Sequence, residues 1–115
     1  MKKLPLPVAA AARAALDKKA EHALALDLRR VADFTDFFLL LTGHNQRQLV
    51  AIADAVTATL RASGLRPAHV EGYPRQEWIL LDYGDFVVHV MTPKSRSFYD
   101  LERLWGGSLR QEVTG

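Results

Sequence analysis

The stretch that decides the fold is residues 77–105, EWILLDYGDFVVHVMTPKSRSFYDLERLW. Two apolar runs, residues 77–82 and 85–91, flank Tyr83-Gly84. Two such runs joined by a two-residue loop that contains glycine predict a β-hairpin. Gly84 can adopt the positive φ of such a turn because it has no Cβ to clash with the backbone.

The two-residue loop also predicts the register and the two faces of the hairpin. Asp82 is expected opposite Asp85, and Trp78 opposite His89. Since side chains alternate along a strand, one face is wholly apolar: Ile79, Leu81, Phe86, Val88 and Val90. The other face is apolar in its middle and polar at its edges: Trp78, Leu80, Val87, His89 and Met91. We expect the first face in the core, and the second covered either by a helix or by a partner.

Length and composition predict a single globular domain. The 115 residues are enough for one core, and 49% apolar with 24% charged residues is ordinary for that class. We expect one domain over residues 1–115, with a core at about 8–105 and a short tail at 106–115. The net charge of +2 is too small to predict a nucleic-acid-binding field.

Cysteine content and the N-terminus bear on the compartment. The chain has no cysteine, which excludes a disulfide framework, a thiolate metal site and a cysteine nucleophile. The N-terminus, MKKLPLPVAAAARAA, has lysines before a short apolar run, as a signal peptide does. However, Pro5 and Pro7 break that run and Arg13 ends it. The sequence therefore predicts a cytoplasmic protein with no membrane association.

Outside the hairpin, the hydrophobic pattern predicts three more strands and three helices. The strands are expected at residues 23–28, 36–42 and 66–71, the last near a sheet edge because of Pro67. The helices are expected at residues 8–21, between Asn45 and Gly64, and at 101–105, the last capped by Asp100. The order α-β-β-α-β-β-β-α predicts an α/β (α+β) fold, a mixed sheet of about five strands with flanking helices.

The helix between Asn45 and Gly64 has signals at both ends. Asn45 is a good N-cap, and Gln48 three residues later has the spacing of a capping box. Gly64 stands where a left-handed residue ends a helix. The apolar residues recur every three or four positions: Leu49, Ile52, Ala53, Val56 and Leu60. The strands on either side are expected to run parallel, joined by a right-handed crossover.

The turn at Gly43 raises the question of a phosphate site. A glycine between a strand and a helix N-terminus can hold phosphate, but a single glycine is more often part of an ordinary βα turn. A metal-dependent phosphoryl transferase would also need clustered carboxylates. Asp82 and Asp85 form the close acidic pair near the hairpin, and we interpret both as turn residues. A nucleotidyltransferase-like enzyme remains as an alternative function.

Other signals of catalysis are weak. The four histidines, His22, His44, His69 and His89, share no metal-ligand spacing, and the sequence has no Gly-x-Ser-x-Gly elbow. We therefore expect no enzyme, no catalytic residue, no metal and no cofactor. His89 is either a packed surface histidine or a hydrogen-bonding contact at a partner interface.

Basic and aromatic side chains indicate how a partner would be bound. The basic residues are scattered along the sequence: Arg29, Arg30, Lys94, Arg96 and Arg103. We interpret them as a solvated face, and an RNA-binding module is the alternative. Trp78 and Tyr99 belong to the residue types that dominate protein interfaces. Trp105 is better explained by docking of the last helix. Since two substantial helices cannot easily cover both faces of the sheet, the face with Trp78 is a candidate interface.

Taken together, residues 16–105 resemble the ribosomal silencing factor family, also called the Iojap-like family. The stretches that carry the resemblance are Asp36-Phe37-Phe38, Thr42-Gly43, Glu71-Gly72, Trp78, Leu81-Asp82-Tyr83-Gly84-Asp85, Val88-His89-Val90 and residues 96–105, RSFYDLERLW. The ten-residue match after the hairpin is the most specific of them.

The resemblance implies a nucleotidyltransferase-like fold without catalytic function. It also implies binding to large-subunit ribosomal protein fourteen on the face where the small subunit docks. The factor would then block subunit joining and repress translation when nutrients are scarce. The residues that the resemblance implies at the contact are Trp78, Leu80, Tyr83, His89, Tyr99, Asp100, Leu101 and Glu102. The free protein could pair with itself through the same face as a homodimer, and direct RNA contact is expected to be minor or absent.

Overall fold

Residues 4–114 are described by the computed structural model of the chain. They form, in order, α1 (Leu6–Asp17), β1 (Glu21–Asp27), β2 (Phe37–Thr42), α2 (Gln46–Ala62), β3 (His69–Glu71), β4 (Trp78–Asp82), β5 (Phe86–Met91), α3 (Pro93–Tyr99), α4 (Leu101–Leu104) and β6 (Leu109–Glu112). No helix in this part of the chain is both long enough and apolar enough to cross a bilayer.

The six strands form one sheet in the order β3-β4-β5-β2-β1-β6. The β2–β5 pair is parallel, and the other four neighbouring pairs are antiparallel. This mixed sheet with flanking helices confirms the predicted α/β class. From these pairings, β3 runs parallel to β2 as expected, although β5 and β4 lie between them.

Strand β6 is the difference from the five strands predicted. It lies within residues 106–115, which we expected to be a tail, and pairs antiparallel with β1 from Asp27↔Leu109 to Leu24↔Glu112. Three of its four residues are exposed, so it has no apolar face that a sequence pattern could reveal. Its strand conformation comes from backbone hydrogen bonds to β1.

Helices α1 and α2 pack together on one face of the sheet. Asn45 caps α2 as predicted, since its side chain accepts a hydrogen bond from the backbone N–H of Gln48 at 2.8 Å. Gly64 follows the helix with φ of +86°, also as predicted. The buried residues of both helices and the predicted core face of the hairpin form one cluster, which includes all five residues Ile79, Leu81, Phe86, Val88 and Val90.

The hairpin register differs from the predicted one by two positions. Trp78 lies opposite Met91, and Leu80 rather than Trp78 lies opposite His89. The backbone N–H of Tyr83 donates to the carbonyl of Phe86, so the tight loop is Gly84-Asp85 and not Tyr83-Gly84. Gly84 takes the positive φ, +85°, at the first loop position. A shift of two positions keeps every side chain on its face, so the predicted faces are correct although the register was wrong.

The second face is covered in part by α3 and α4. Helix α3 was not predicted, because Pro93 was interpreted only as the end of a strand. Pro93 also begins the helix, with Thr92 accepting a hydrogen bond from the N–H of Ser95 at 3.1 Å. The buried residues of this face form a second cluster: Leu26, Leu28, Phe38, Leu40, Val87, Met91 and Leu101. The expectation of a largely uncovered face was therefore wrong at Val87 and Met91.

Candidate functional site

A series of aromatic contacts begins at the outer edge of the second face. The Phe98 and Tyr99 rings of α3 meet edge to face, with centroids 5.0 Å apart. Tyr99 in turn lies on Trp78 of β4, at 4.7 Å and an interplanar angle of 46°. Trp78 continues the series inward to the imidazole of His89, at 5.8 Å. The Tyr99–Trp78 contact therefore joins α3 to β4.

The series continues across the sheet to α4. The His89 ring meets Phe38 of β2 at 4.4 Å in an edge-to-face arrangement. Phe38 meets Trp105, which follows α4, at 6.0 Å, and Trp105 meets Phe34 at 5.8 Å. Because His89 and Phe38 are buried, the part of this series that a partner can reach consists of five side chains. We call them the aromatic surface: Phe34, Trp78, Phe98, Tyr99 and Trp105.

Exposure of this surface to water is unusually high for large apolar residues. Phe98 is 79% exposed, Phe34 61% and Tyr99 51%. Leu104, which precedes Trp105, is 69% exposed. Contiguous exposed apolar residues on one face mark interaction sites more often than isolated ones do. The aromatic surface is therefore the candidate functional site, and it is a binding surface.

A sharp bend at Asp100 shapes this surface. Asp100 has φ of 48° and separates α3 from α4. On one side of the bend Tyr99 stays outside on Trp78, while on the other Leu101 enters the second cluster and is 7% exposed. A short helix follows Asp100 as predicted, but the predicted cap is wrong, because the Asp100 side chain makes no capping hydrogen bond there.

Arg96 ties the same segment to the sheet. Its guanidinium donates to the carbonyl oxygen of His22 at 2.6 Å and to Oγ1 of Thr42 at 2.9 Å. It also forms an ion pair with Glu102 at 3.2 Å, and its side chain is only 10% exposed. The interpretation of Arg96 as part of a solvated basic face was therefore wrong. Its cation is used inside the protein to join α3, α4, β1 and β2.

His89 is buried next to Trp78. The indole Nε1–H of Trp78 donates to Nδ1 of His89 at 3.0 Å. His89 is 3% exposed, so it is not the surface histidine that one of the two sequence interpretations described. Burial lowers the pKa of His89 to about 3, because the charged imidazolium would lose its hydration. The imidazole is thus neutral at neutral pH.

The structure brings most of the predicted contact residues to this side of the sheet. Trp78, Leu80, Asp100 and Glu102 are half-buried, and Tyr99 is exposed. His89 and Leu101 are also there, but both are buried and cannot themselves offer much area to a partner.

Tyr83 is the member of the predicted set that lies elsewhere. It packs against the cluster beneath α1 and α2, on the opposite face from Trp78, and stacks on Phe86 with centroids 4.9 Å apart. Burial raises the pKa of Tyr83, since the phenolate would be poorly solvated there. A partner that covers the aromatic surface would reach Tyr83 only around the hairpin turn.

Phe34, Phe98 and Leu104 are exposed residues of this region that sequence reasoning missed. Phe34 lies in the polar connection between β1 and β2, where periodicity carries no information. The signal that could have identified Phe98 was the start of a helix at Pro93, which places residues 98 and 99 on its last turn.

The turn at Gly43 has local explanations for its sequence. A Cβ on Gly43 would lie 2.8 Å from Cδ1 of Leu49, so a larger residue here would require the end of the Leu49 side chain to move. Two of the backbone donors nearby are used within the protein: Gln48 N–H donates to Asn45, and the His44 N–H donates to the Gln48 side chain at 2.7 Å. Among residues 4–114, no three acidic or histidine side chains cluster as metal ligands would.

Comparison with known proteins adds independent information. Residues 2–114 match the family model described as ribosomal silencing factor during starvation. The chain is 41% identical to the ribosomal silencing factor of Bacillus subtilis over 84% of this chain and 81% of that one. It is 38% identical to that of Halalkalibacterium halodurans, over 86% and 85%. A crystal structure of a protein from Chromobacterium violaceum superposes with a TM-score of 0.87 at 33% identity, covering 99% of this chain and 95% of that one.

Proposed function

Because the chain belongs to the ribosomal silencing factor family, we propose that it binds the large ribosomal subunit and represses translation by keeping the small subunit away. The contact on the large subunit is ribosomal protein fourteen, on the face where the small subunit docks. The protein acts in the cytoplasm, and it represses translation when nutrients are limiting.

The aromatic surface is the observation that carries this proposal. Tryptophan and tyrosine contribute much binding energy because they bury large areas at little cost in conformational entropy. A specific protein interface buries roughly 1,200–2,000 Å² in total. Trp78, Tyr99 and Phe98 together supply an apolar centre for such an interface, and the half-buried Asp100 and Glu102 supply a polar rim.

Steric blocking needs affinity and position, and it needs no chemical step. The aromatic surface has one ionisable group, the Tyr99 hydroxyl, so its composition suits docking better than acid–base or nucleophilic chemistry. We therefore infer a regulatory protein without catalytic activity, and direct contact with ribosomal RNA is minor.

The test is binding of purified large subunits by variants of the aromatic surface. Phe98→Ala removes an exposed ring without opening a cavity, and Trp78→Ala removes the central ring. We expect each to weaken co-sedimentation with large subunits by roughly tenfold or more, as hot-spot residues do. Leu6→Ala is the matched control, because Leu6 is 78% exposed but lies on α1, over the other face.

A second measurement separates binding from blocking. Large subunits are incubated with the protein, small subunits are added, and the fraction of joined ribosomes is measured by sedimentation. The wild-type protein and Leu6→Ala should lower that fraction, whereas Phe98→Ala should not. Binding that is unchanged in both Trp78→Ala and Phe98→Ala would remove the aromatic surface from the mechanism.

We also infer that the free protein pairs with itself through the aromatic surface, since an exposed apolar patch is buried when two copies associate. Sedimentation velocity at increasing protein concentration would show a dimer for the wild-type chain and a smaller dimer fraction for Phe98→Ala. A monomer at all concentrations would exclude the homodimer and leave ribosome binding untouched.

A further inference from the structure

The hydrogen bond between Trp78 and His89 determines which groups a partner can use. An indole nitrogen can only donate, so Nδ1 of His89 must accept, and the imidazole proton must sit on Nε2. The single polar group of Trp78 is therefore already occupied inside the protein. What remains of Trp78 for a partner is the ring.

The surroundings of His89 keep it in this role. The imidazole is 3% exposed and lies between the rings of Phe38 and Trp78, at 4.4 and 5.8 Å. No described residue accepts a hydrogen bond from its Nε2. A buried donor without a partner is costly, and an apolar side chain at position 89 would avoid that cost. The histidine therefore requires an explanation beyond packing, and the Trp78 contact supplies one.

We propose that His89 is a positioning residue for docking, which holds the Trp78 indole in one orientation so that a protein partner meets the ring and not the N–H. This inference rests on the proposed function, and it assigns His89 an indirect part in it. The predicted contact set placed His89 at the interface, whereas its burial means that it acts through Trp78.

Loss of the hydrogen-bond acceptor should weaken docking because the ring would no longer be pre-ordered. Trp78 is only half-buried, so its own packing does not fully define its orientation. Ordering a free side chain on binding costs enough to weaken affinity by about three- to tenfold. The effect is smaller than removal of the ring itself, which distinguishes a positioning role from direct contact.

The experiment compares two substitutions of His89 in the full chain. His89→Leu removes the acceptor at similar volume, whereas His89→Asn keeps an oxygen acceptor near the position of Nδ1. We expect His89→Leu to bind large subunits about three- to tenfold more weakly and His89→Asn to restore most of the affinity. His44→Leu, at the exposed turn before α2, is the control for loss of a histidine.

Two further measurements exclude a merely structural effect. The indole N–H resonance of Trp78 should shift and exchange faster with solvent in His89→Leu than in His89→Asn, at equal helix content by circular dichroism. In a Trp78→Phe background, which lacks the N–H, His89→Leu should cause no further loss of affinity.

The outcomes separate this inference from the function on which it rests. If Trp78→Ala weakens binding but His89→Leu does not, the positioning role is wrong and the docking function stands. If His89→Leu still weakens binding in the Trp78→Phe background, His89 acts by another route and the inference is overturned. If Trp78→Ala binds normally, the failure lies in the proposed use of the aromatic surface.

Discussion

Gly72 shows how a single residue controls the backbone beside the candidate site. It has φ of +96°, and a Cβ there would lie 1.9 Å from the carbonyl oxygen of Trp78. Gly84 has nearly the same φ, +85°, but no atom within 4 Å of a built Cβ. Both glycines therefore adopt a positive φ that other residues rarely take. At Gly72, in addition, another backbone segment lies too close to leave room for a Cβ.

This contrast predicts that Gly72→Ala is far more destabilising than Gly84→Ala. The left-handed conformation alone should cost about 1 kcal/mol in each variant. The clash at position 72 should raise the loss to roughly 3 kcal/mol or more, because the backbone at Trp78 must move. Urea unfolding of both variants measures the difference, and equal losses would show that the loop at Gly72 adapts freely.

His89 predicts a pH dependence of stability. Its pKa is about 3 when folded and 6.5 when exposed, so the unfolded chain binds more protons between these values and stability rises with pH across that window. Between pH 7 and pH 5 the group should remove about 2 kcal/mol of unfolding free energy. His89→Asn lacks this titration and keeps every other ionisable group. Parallel pH profiles for the two proteins would contradict the buried neutral imidazole.

Residue-level features were predictable where their cause is local. Asn45 was identified as a cap from three-residue spacing, and Gly84 from the need for positive φ in a tight turn. The burial of His89 was not predictable from the hairpin alone, because the ring also packs against Phe38 of β2, a strand distant in sequence.

At the scale of elements, the Arg96 guanidinium is the main polar anchor of the segment from Pro93 to Trp105. Arg96→Met should remove four hydrogen bonds to His22, Thr42 and Glu102 and leave a carboxylate unpaired. Hydrogen bonds to charged groups contribute about 1.5–3 kcal/mol, so we expect a loss of about 2–3 kcal/mol in unfolding free energy.

Arg103→Met is the matched control for that prediction, since Arg103 lies on exposed α4 surface seven residues away. Hydrogen exchange should show lower protection across residues 93–105 in Arg96→Met, with α1 and α2 unchanged below the global unfolding limit. If the two variants lose the same stability, the guanidinium does not anchor the segment.

The elements that sequence reasoning missed share a cause. Strand β6 has no apolar alternation, and its conformation is decided by a neighbour more than 80 residues earlier in sequence, β1. The register of the β4–β5 hairpin was wrong by two positions because the hydrophobic alternation, which has a period of two, cannot distinguish registers that differ by two. The hydrophobic pattern therefore predicted the face on which each side chain lies, but it did not determine which residues pair across the hairpin.

At the scale of the molecule, both long helices lie on one face of the sheet. The opposite face receives only the short helices α3 and α4, which bury its centre and leave aromatic rings around it. As expected, the two long helices leave the second face to other elements. However, α3 and α4 bury more of that face than we expected. The remaining exposed area is concentrated in residues that the chain's own C-terminal segment contributes.

The nature of this surface predicts a weak dependence of ribosome binding on salt. The aromatic surface carries no formal charge, Arg96 is engaged internally, and Arg29 is paired with Asp27 at 2.7 Å. A protein that neutralised about six phosphates would lose roughly a thousandfold in affinity between 50 and 200 mM salt. We expect a change of less than about fivefold over that range, since docking is mainly apolar.

The measurement is the affinity for intact large subunits at fixed magnesium and varied potassium chloride. The double variant Arg29→Gln, Arg30→Gln tests the basic residues that an RNA-binding module would use, and it should bind with the same affinity and the same salt slope as the wild-type chain. A steep slope that becomes shallower in this variant would favour phosphate contact over protein contact. A shallow slope together with loss of binding in Phe98→Ala would leave the aromatic surface as the main source of affinity, because apolar burial is the contribution that added salt does not screen.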